Sequence, residues 1–187
     1  TCLGVPPFIS PYIRNVYGSL IYNGIKPVYK TIDNIRDNYN IINDYDIIII
    51  LCGCAVPGKY LGGRPIYENE LRKISNTLDE NKIALLVGPV QYLSYFNNFQ
   101  NFIALKGNPA NEVAKYFNLP HPGYDFPDEN WATAGAEIVF QHPLYPDVIA
   151  EITTFTGCLR QLHCSFCVEG KKTEHHRNID EILARML

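Results

Sequence analysis

The segment Asp46-Ile47-Ile48-Ile49-Ile50-Leu51 contains four consecutive isoleucines. An unbroken run of β-branched residues is typical of a central strand that is buried on both faces of a parallel sheet. The loop that follows holds Gly53, Gly58, Gly62 and Gly63, and such loops often bind ligands. It matches neither a phosphate loop nor a dinucleotide fingerprint, so the glycines are interpreted as residues that shape the loop.

The sequence on both sides of this strand alternates short apolar runs with amphipathic stretches. The apolar runs predict further strands at Leu3–Val5, Val28–Ile32, Ala84–Gly88 and Phe102–Leu105. The amphipathic stretches predict helices at Pro11–Asn23, Asp33–Asn38, Pro65–Asn81, Pro89–Asn98 and Pro109–Phe117. Alternating strands and helices predict a doubly wound parallel sheet, Rossmann- or flavodoxin-like, over residues 1–117.

Two further regions follow this α/β domain. Prolines punctuate residues 118–147, which we interpret as a linker that packs on a surface. In residues 148–187 the sequence pattern predicts a strand at Val148–Phe155, a cysteine-containing loop, and a helix at Asn178–Leu187.

Composition excludes several classes of protein. The 187 residues are 47% hydrophobic and 19% charged, which excludes intrinsic disorder. No apolar run approaches the roughly 20 residues of a membrane span. The net charge of −3 does not indicate nucleic-acid binding by this segment. Because no secretion signal follows Thr1, we expect a cytoplasmic protein whose six cysteines stay reduced and available to a metal.

Three of the cysteines, Cys158, Cys164 and Cys167, fall within ten residues. Closely spaced thiolates favour an iron–sulfur cluster or zinc. Structural zinc needs a fourth ligand, which His163, His175 or His176 could supply. A 4Fe–4S cluster can use three cysteines and keep one iron open for a substrate or cofactor. Thiols without a metal are the third interpretation.

This loop resembles that of the radical S-adenosylmethionine (SAM) superfamily, in which three cysteines follow the first strand of a (β/α) barrel. The usual pattern is C-x3-C-x2-C with an aromatic residue before the last cysteine, here Phe166. Five residues separate Cys158 from Cys164, as in some archaeal-type Fe–S oxidoreductases of the superfamily. Glu151 and Glu169 also match that widened pattern.

The resemblance implies a mechanism. Cys158, Cys164 and Cys167 would each bind one iron, and the fourth iron would chelate the amino and carboxylate groups of SAM. One electron then cleaves SAM to methionine and a 5′-deoxyadenosyl radical, which abstracts hydrogen from a substrate. Phe166 would bind the cofactor by packing near the adenine, or serve as a core aromatic under the loop. The substrate and the catalytic residues are not indicated.

The resemblance extends to the first domain. An α/β domain before a radical SAM barrel occurs in cobalamin-dependent members, and Leu3-Gly4-Val5-Pro6-Pro7 resembles the opening of such cobalamin-binding-like domains. The chain lacks the D-x-H-x-x-G motif whose histidine ligates cobalt, so bound cobalamin is not expected.

Two alternatives stay open. Cys2, Cys52 and Cys54 resemble the second-cluster cysteines of methylthiotransferases, or they are small buried apolar residues at strand ends. The chain could also be a non-catalytic α/β module with a zinc-stapled tail.

Only twenty residues follow Cys167, whereas one strand–helix–strand unit takes about 30. We therefore expect a fragment that contains only the start of a barrel and does not cleave SAM alone. The apolar side chains of the last helix should then be exposed or pack back on the first domain, namely Ile179, Ile182, Leu183 and Met186.

Overall fold

The isoleucine run forms a strand of a parallel sheet in the computed structural model of the chain. The structure describes residues 8–53, 66–92, 99, 101–122, 128–150, 153–165, 167, 170 and 174–184. Strand β2 (Ile47–Leu51) pairs with β3 (Ile83–Val87), and β3 pairs with β4 (Phe102–Ala104). Both pairings are parallel, with Ile47 opposite Ile83 and Ala84 opposite Phe102. The predicted α/β class with a parallel sheet is confirmed.

The remaining elements flank this sheet. The short strands are β1 (Phe8–Ile9), β5 (Ile149–Ala150), β6 (Phe155–Thr156) and β7 (His175–His176). The helices are α1 (Pro11–Tyr22), α2 (Ile32–Asp37), α3 (Glu68–Thr77), α4 (Pro109–Tyr116), α5 (Glu129–Ala134) and α6 (Ile179–Ala184). Short 3-10 helices occur at Tyr39–Asp44, Pro89–Tyr92 and Gly135–Gln141. No helix in the described part of the chain is long and apolar enough to span a membrane.

Helices lie on both faces of the sheet, and successive residues of β3 point to opposite sides. Val87 packs with residues of α1 and α4, such as Val16 and Val113. Leu86 packs with Leu71 of α3 on the other side. Residues 84–87 are at most 1% exposed, so β3 is the doubly buried middle strand of the described sheet. The isoleucine strand β2 is half-buried and pairs with β3 among the described strands, whereas the sequence predicts a central strand buried on both faces.

The predicted strand Val28–Ile32 is wrong. Residues 25–31 form neither strand nor helix, and Ile32 already begins α2. The backbone N–H of Tyr29 donates to Oε1 of Gln141 at 2.7 Å instead of to a neighbouring strand. Apolar and polar residues do alternate here, but the side chain of Gln141 accepts the backbone hydrogen bond that a neighbouring strand would otherwise accept.

The proline-rich region 118–147 contains structure that the sequence did not predict. Its helix α5 packs on α1 so closely that a Cβ at Gly18 would clash with the backbone oxygen of Trp131. Trp131 is 3% exposed and lies in the same apolar cluster as Val87 of the sheet. This region is therefore a packing layer of the α/β unit.

The predicted strand Val148–Phe155 is not continuous. β5 pairs in parallel with β1 near the start of the chain, whereas β6 pairs antiparallel with β7. Residues 153–154 belong to neither strand. The two ends of the predicted strand have different partners, which a local apolar pattern does not encode. The predicted strand Leu3–Val5 lies outside the described residues.

The predicted last helix is present as α6, and residues 185–187 lie outside the described part. The N–H of Ile182 donates to the carbonyl of Asn178 at 3.2 Å, which fits Asn178 as the residue that starts the helix. Ile179 is 67% exposed and Ile182 is half-buried, whereas the side chains of Leu183 and Met186 lie outside the described part.

Candidate metal centre

The three cysteines lie in the segment between β6 and β7, here called the cysteine loop, and these two short strands pair antiparallel. Phe155 lies opposite His176, and Thr156 lies opposite His175. The rings of Phe155 and His176 are in contact, with their centroids 4.4 Å apart. The sequence predicted the helix after the loop but not the two-residue strands β6 and β7, because two residues carry no periodic signal.

Gly157 allows the two ends of the loop to approach each other. It is buried, and its φ of +91° lies in the left-handed region that side chains rarely adopt. A Cβ at this position would lie 2.7 Å from the Cα of Glu174 across the loop base. Cys158 follows directly, so its backbone is fixed at the tied end of the loop.

Cys164 and Cys167 lie at the two ends of a tight turn. The N–H of Cys167 donates to the carbonyl oxygen of Cys164 at 3.1 Å. Arg160 approaches the same turn, with its Nη1 donating to the Sγ of Cys164 at 3.8 Å. All three loop cysteines are half-buried and carry free thiols.

The donor chemistry of the loop fits the group that the resemblance implies. Thiols are the ligands of 4Fe–4S clusters and of structural zinc, and one closed loop carries three of them. Within the described ranges, no three His, Cys, Asp or Glu side chains already converge as a group that could hold a metal ion.

The other predicted site residues are placed as follows. Phe166, the predicted cofactor-binding residue, lies outside the described residues, and so do Glu151 and Glu169. His163, a possible fourth zinc ligand, packs on Gly170, where an added Cβ would lie 2.5 Å from the imidazole Cγ. His176, another possible ligand, stacks against Phe155.

Arg177 anchors the loop to the rest of the molecule, a role the sequence analysis did not assign. Its backbone N–H donates to the carbonyl of Thr154 at 3.0 Å. Its side chain is only 3% exposed, and its guanidinium pairs with the carboxylate of Glu129 in α5 at 3.2 Å. A lone arginine ahead of a helix gives no sequence signal of a partner 48 residues earlier.

Cys52 lies apart from the cysteine loop, at the end of β2. It is 5% exposed and packs among Leu71, Leu86, Val90 and Phe99. Its backbone also joins the end of β2 to the 3-10 helix Pro89–Tyr92, because its carbonyl accepts from the N–H of Val90 at 3.2 Å. This is the environment of a small buried apolar residue. Cys2 and Cys54, the other cysteines compared with a second cluster, lie outside the described residues.

Comparison with known proteins finds archaeal relatives. A protein of Archaeoglobus fulgidus, described as uncharacterized, is 35% identical over 195 aligned positions, covering the whole chain and 35% of that protein. A protein of Methanocaldococcus jannaschii, also described as uncharacterized, is 34% identical over 193 positions, covering 91% of the chain and 35% of that protein. The chain thus spans about a third of the length of these relatives. No family model and no solved structure matches the chain.

Proposed function

We propose that this chain carries the cluster loop of a radical SAM enzyme, with Cys158, Cys164 and Cys167 as the ligands of a 4Fe–4S cluster. The observation that carries the proposal is the arrangement of three free thiols on one loop tied at its base. A loop built only to connect β6 with β7 has no need of three half-buried thiols. A site that supplies soft ligands to iron does need them.

The residues of the chain have distinct roles in this proposal. When bound, the cluster supplies the electron that cleaves SAM. The three thiols bind iron, and the pairing of β6 with β7 holds the ends of the loop together. Arg160 donates a hydrogen bond to the sulfur of Cys164 and so directs that ligand. Arg177 ties the loop base to α5.

The finer features of the fold belong to the same proposal. Helices on both faces of the parallel sheet support a doubly wound, Rossmann- or flavodoxin-like domain. We assign it the role of a cobalamin-binding-like domain without cobalamin. We assign β6, the loop and α6 to the start of a partial (β/α) barrel. We assign the protein to the cytoplasm, where thiols stay reduced and available to a metal. The substrate of the whole enzyme is left open.

Anaerobic reconstitution with iron and sulfide tests the cluster. We expect the 187-residue chain to take up about four irons with the broad visible absorption of an iron–sulfur cluster. A variant with Cys158, Cys164 and Cys167 all changed to alanine should take up none. The Cys52→Ala variant is the matched control, because that cysteine is buried outside the loop and its loss should leave iron uptake unchanged.

Two outcomes would contradict the proposal. Stoichiometric zinc that iron cannot displace would favour the zinc-stapled module. An intact cluster whose electron paramagnetic resonance spectrum is unaffected by SAM would argue against SAM as the ligand of the open iron.

A further inference from the structure

Cys164 and Cys167 are held at a separation that suits a disulfide. A backbone hydrogen bond from the fourth residue of a turn to the first accompanies a Cα–Cα distance below about 7 Å. Disulfides join cysteines whose Cα atoms are about 4.4 to 6.8 Å apart. The 3.1 Å bond from the N–H of Cys167 to the carbonyl of Cys164 therefore places the two residues within bridging range.

Both thiols are also accessible to a small reagent. Each is half-buried and forms no disulfide, and Ser165 between them is exposed. The neighbouring loop surface is open as well, since Leu162 is 89% exposed. A small disulfide compound can therefore reach either sulfur.

We propose that Cys164 and Cys167 form a reversible thiol–disulfide site in the metal-free chain, with Cys158 left as a free thiol. The turn already holds Cys164 and Cys167 together, so little further chain entropy is lost when they form a disulfide. Cys158 lies six positions before Cys164 and follows Gly157, which is clamped against Glu174.

The oxidant in this step is a low-molecular-weight disulfide. The sulfur of one cysteine attacks one sulfur of that disulfide and forms a mixed disulfide with it, while the other half of the reagent leaves as a thiol. The sulfur of the second cysteine then attacks the first cysteine's sulfur and releases the second thiol. The two cysteine protons leave with the two released thiols, so the protein is oxidised by two electrons and the reagent is reduced by two.

One consequence rests on the proposed function. The bridge occupies two of the three cluster ligands, so the oxidised chain should bind no iron until a dithiol reduces it. The experiment below uses metal-free protein, so its result does not depend on whether the loop binds iron.

Peptide mapping tests the pairing directly. The reduced, metal-free chain is treated with oxidised glutathione, alkylated, and digested with trypsin. Trypsin cleaves after Arg160 and Lys171, so one peptide carries Cys164 and Cys167 while Cys158 is in the peptide before it. We expect residues 161–171 as a single unalkylated peptide, lighter by two hydrogens, and complete alkylation of Cys158.

Variants make the result specific. Cys158→Ser should leave the bridge unchanged, whereas Cys167→Ser should abolish it and leave glutathione attached to Cys164. Two results would overturn the proposal. One is a cross-link between residues 116–160 and 161–171, which would show that Cys158 takes part. The other is that Cys164 and Cys167 are both alkylated after treatment, under conditions in which oxidised glutathione does react with a small reference thiol.

Discussion

Gly157 is the residue on which the geometry of the cysteine loop depends most. Its φ of +91° disfavours any side chain, and an added Cβ would meet the Cα of Glu174 at 2.7 Å. We expect Gly157→Ala to lower the free energy of unfolding by about 2–3 kcal/mol, from the backbone conformation and the contact together. Urea unfolding followed by circular dichroism measures the loss, and iron uptake should fall with it.

Gly24 provides a matched control for this substitution. It has a similar φ of +82°, but an added Cβ would meet nothing within 4 Å. Gly24→Ala should therefore lower the free energy of unfolding only through the strained backbone conformation, by about 1–2 kcal/mol, and leave iron uptake unchanged. Equal losses for the two variants would show that the approach of Glu174 to Gly157 is not a tight contact.

His142 links stability to pH. Burial lowers the pKa of His142 below its ordinary value, and its Nδ1 accepts from the N–H of Leu144 at 3.1 Å. The folded state therefore favours the neutral ring. As the pH falls, the unfolded chain takes up the proton first, at about 6.5. Stability from His142 is thus complete above that pH and is lost progressively as the pH falls towards the lower folded pKa.

Urea unfolding measured from about pH 8 to pH 5 checks this prediction. His142→Asn should flatten the slope, because an amide oxygen can replace Nδ1 as acceptor but does not titrate. His121→Asn is the control at an exposed histidine and should leave the slope as it is. An unchanged slope in His142→Asn would assign the pH dependence to other groups.

At the scale of elements, α1 and α5 pack backbone against backbone. A Cβ at Gly18 of α1 would overlap the carbonyl of Trp131, and one at Gly135 would overlap the carbonyl of Arg14. The Nε of Arg14 also donates to the carbonyl of Ala132 at 2.9 Å. Two glycines thus allow an approach that larger residues would prevent.

Gly18→Ala should therefore destabilise the protein, although the same change in an exposed helix stabilises it by about 1 kcal/mol. We expect a loss of more than about 3 kcal/mol, because overpacking against backbone cannot be relieved by a rotamer change. Thermal unfolding measures it. Thr133→Ala on the exposed side of α5 is the control and should change stability by no more than about 0.5 kcal/mol. A stabilised Gly18→Ala variant would contradict this helix packing.

The elements also show what the sequence could predict. The capped helix α1 was predicted almost to the residue, because Ser10, Pro11 and Gly24 act locally. The helix α5 was missed because its signal is a single buried Trp131 within proline-rich sequence. The cysteine spacing predicts a metal-binding loop, and metal binding stays a prediction. The approach of Arg160 to Cys164 and of Arg177 to Glu129 depends on tertiary structure and could not be predicted.

At the scale of the whole molecule, contacts among the described residues join the cysteine-loop segment to the α/β unit. β5 pairs with β1, and Arg177 binds Glu129 of α5. α5 in turn packs through Trp131 on the cluster that contains Val87 of the sheet. A continuous set of contacts therefore runs from the base of the loop to the sheet core, and we expect the described regions to unfold as one cooperative unit.

Glu129→Gln tests this connection. The side chain of Arg177 is 3% exposed, so removing the charge of its partner leaves a buried cation less well compensated. Because Glu129 itself is 57% exposed, we expect a moderate loss of about 1–2 kcal/mol. Fluorescence of Trp131, the only tryptophan, and far-ultraviolet circular dichroism should report the same lowered urea midpoint.

Glu68→Gln breaks an exposed pair with Arg72 and should cost no more than about 0.5 kcal/mol. If the Glu129 variant instead showed two separate transitions, with the fluorescence midpoint unchanged, the segments would be independent and the ion pair would not couple them.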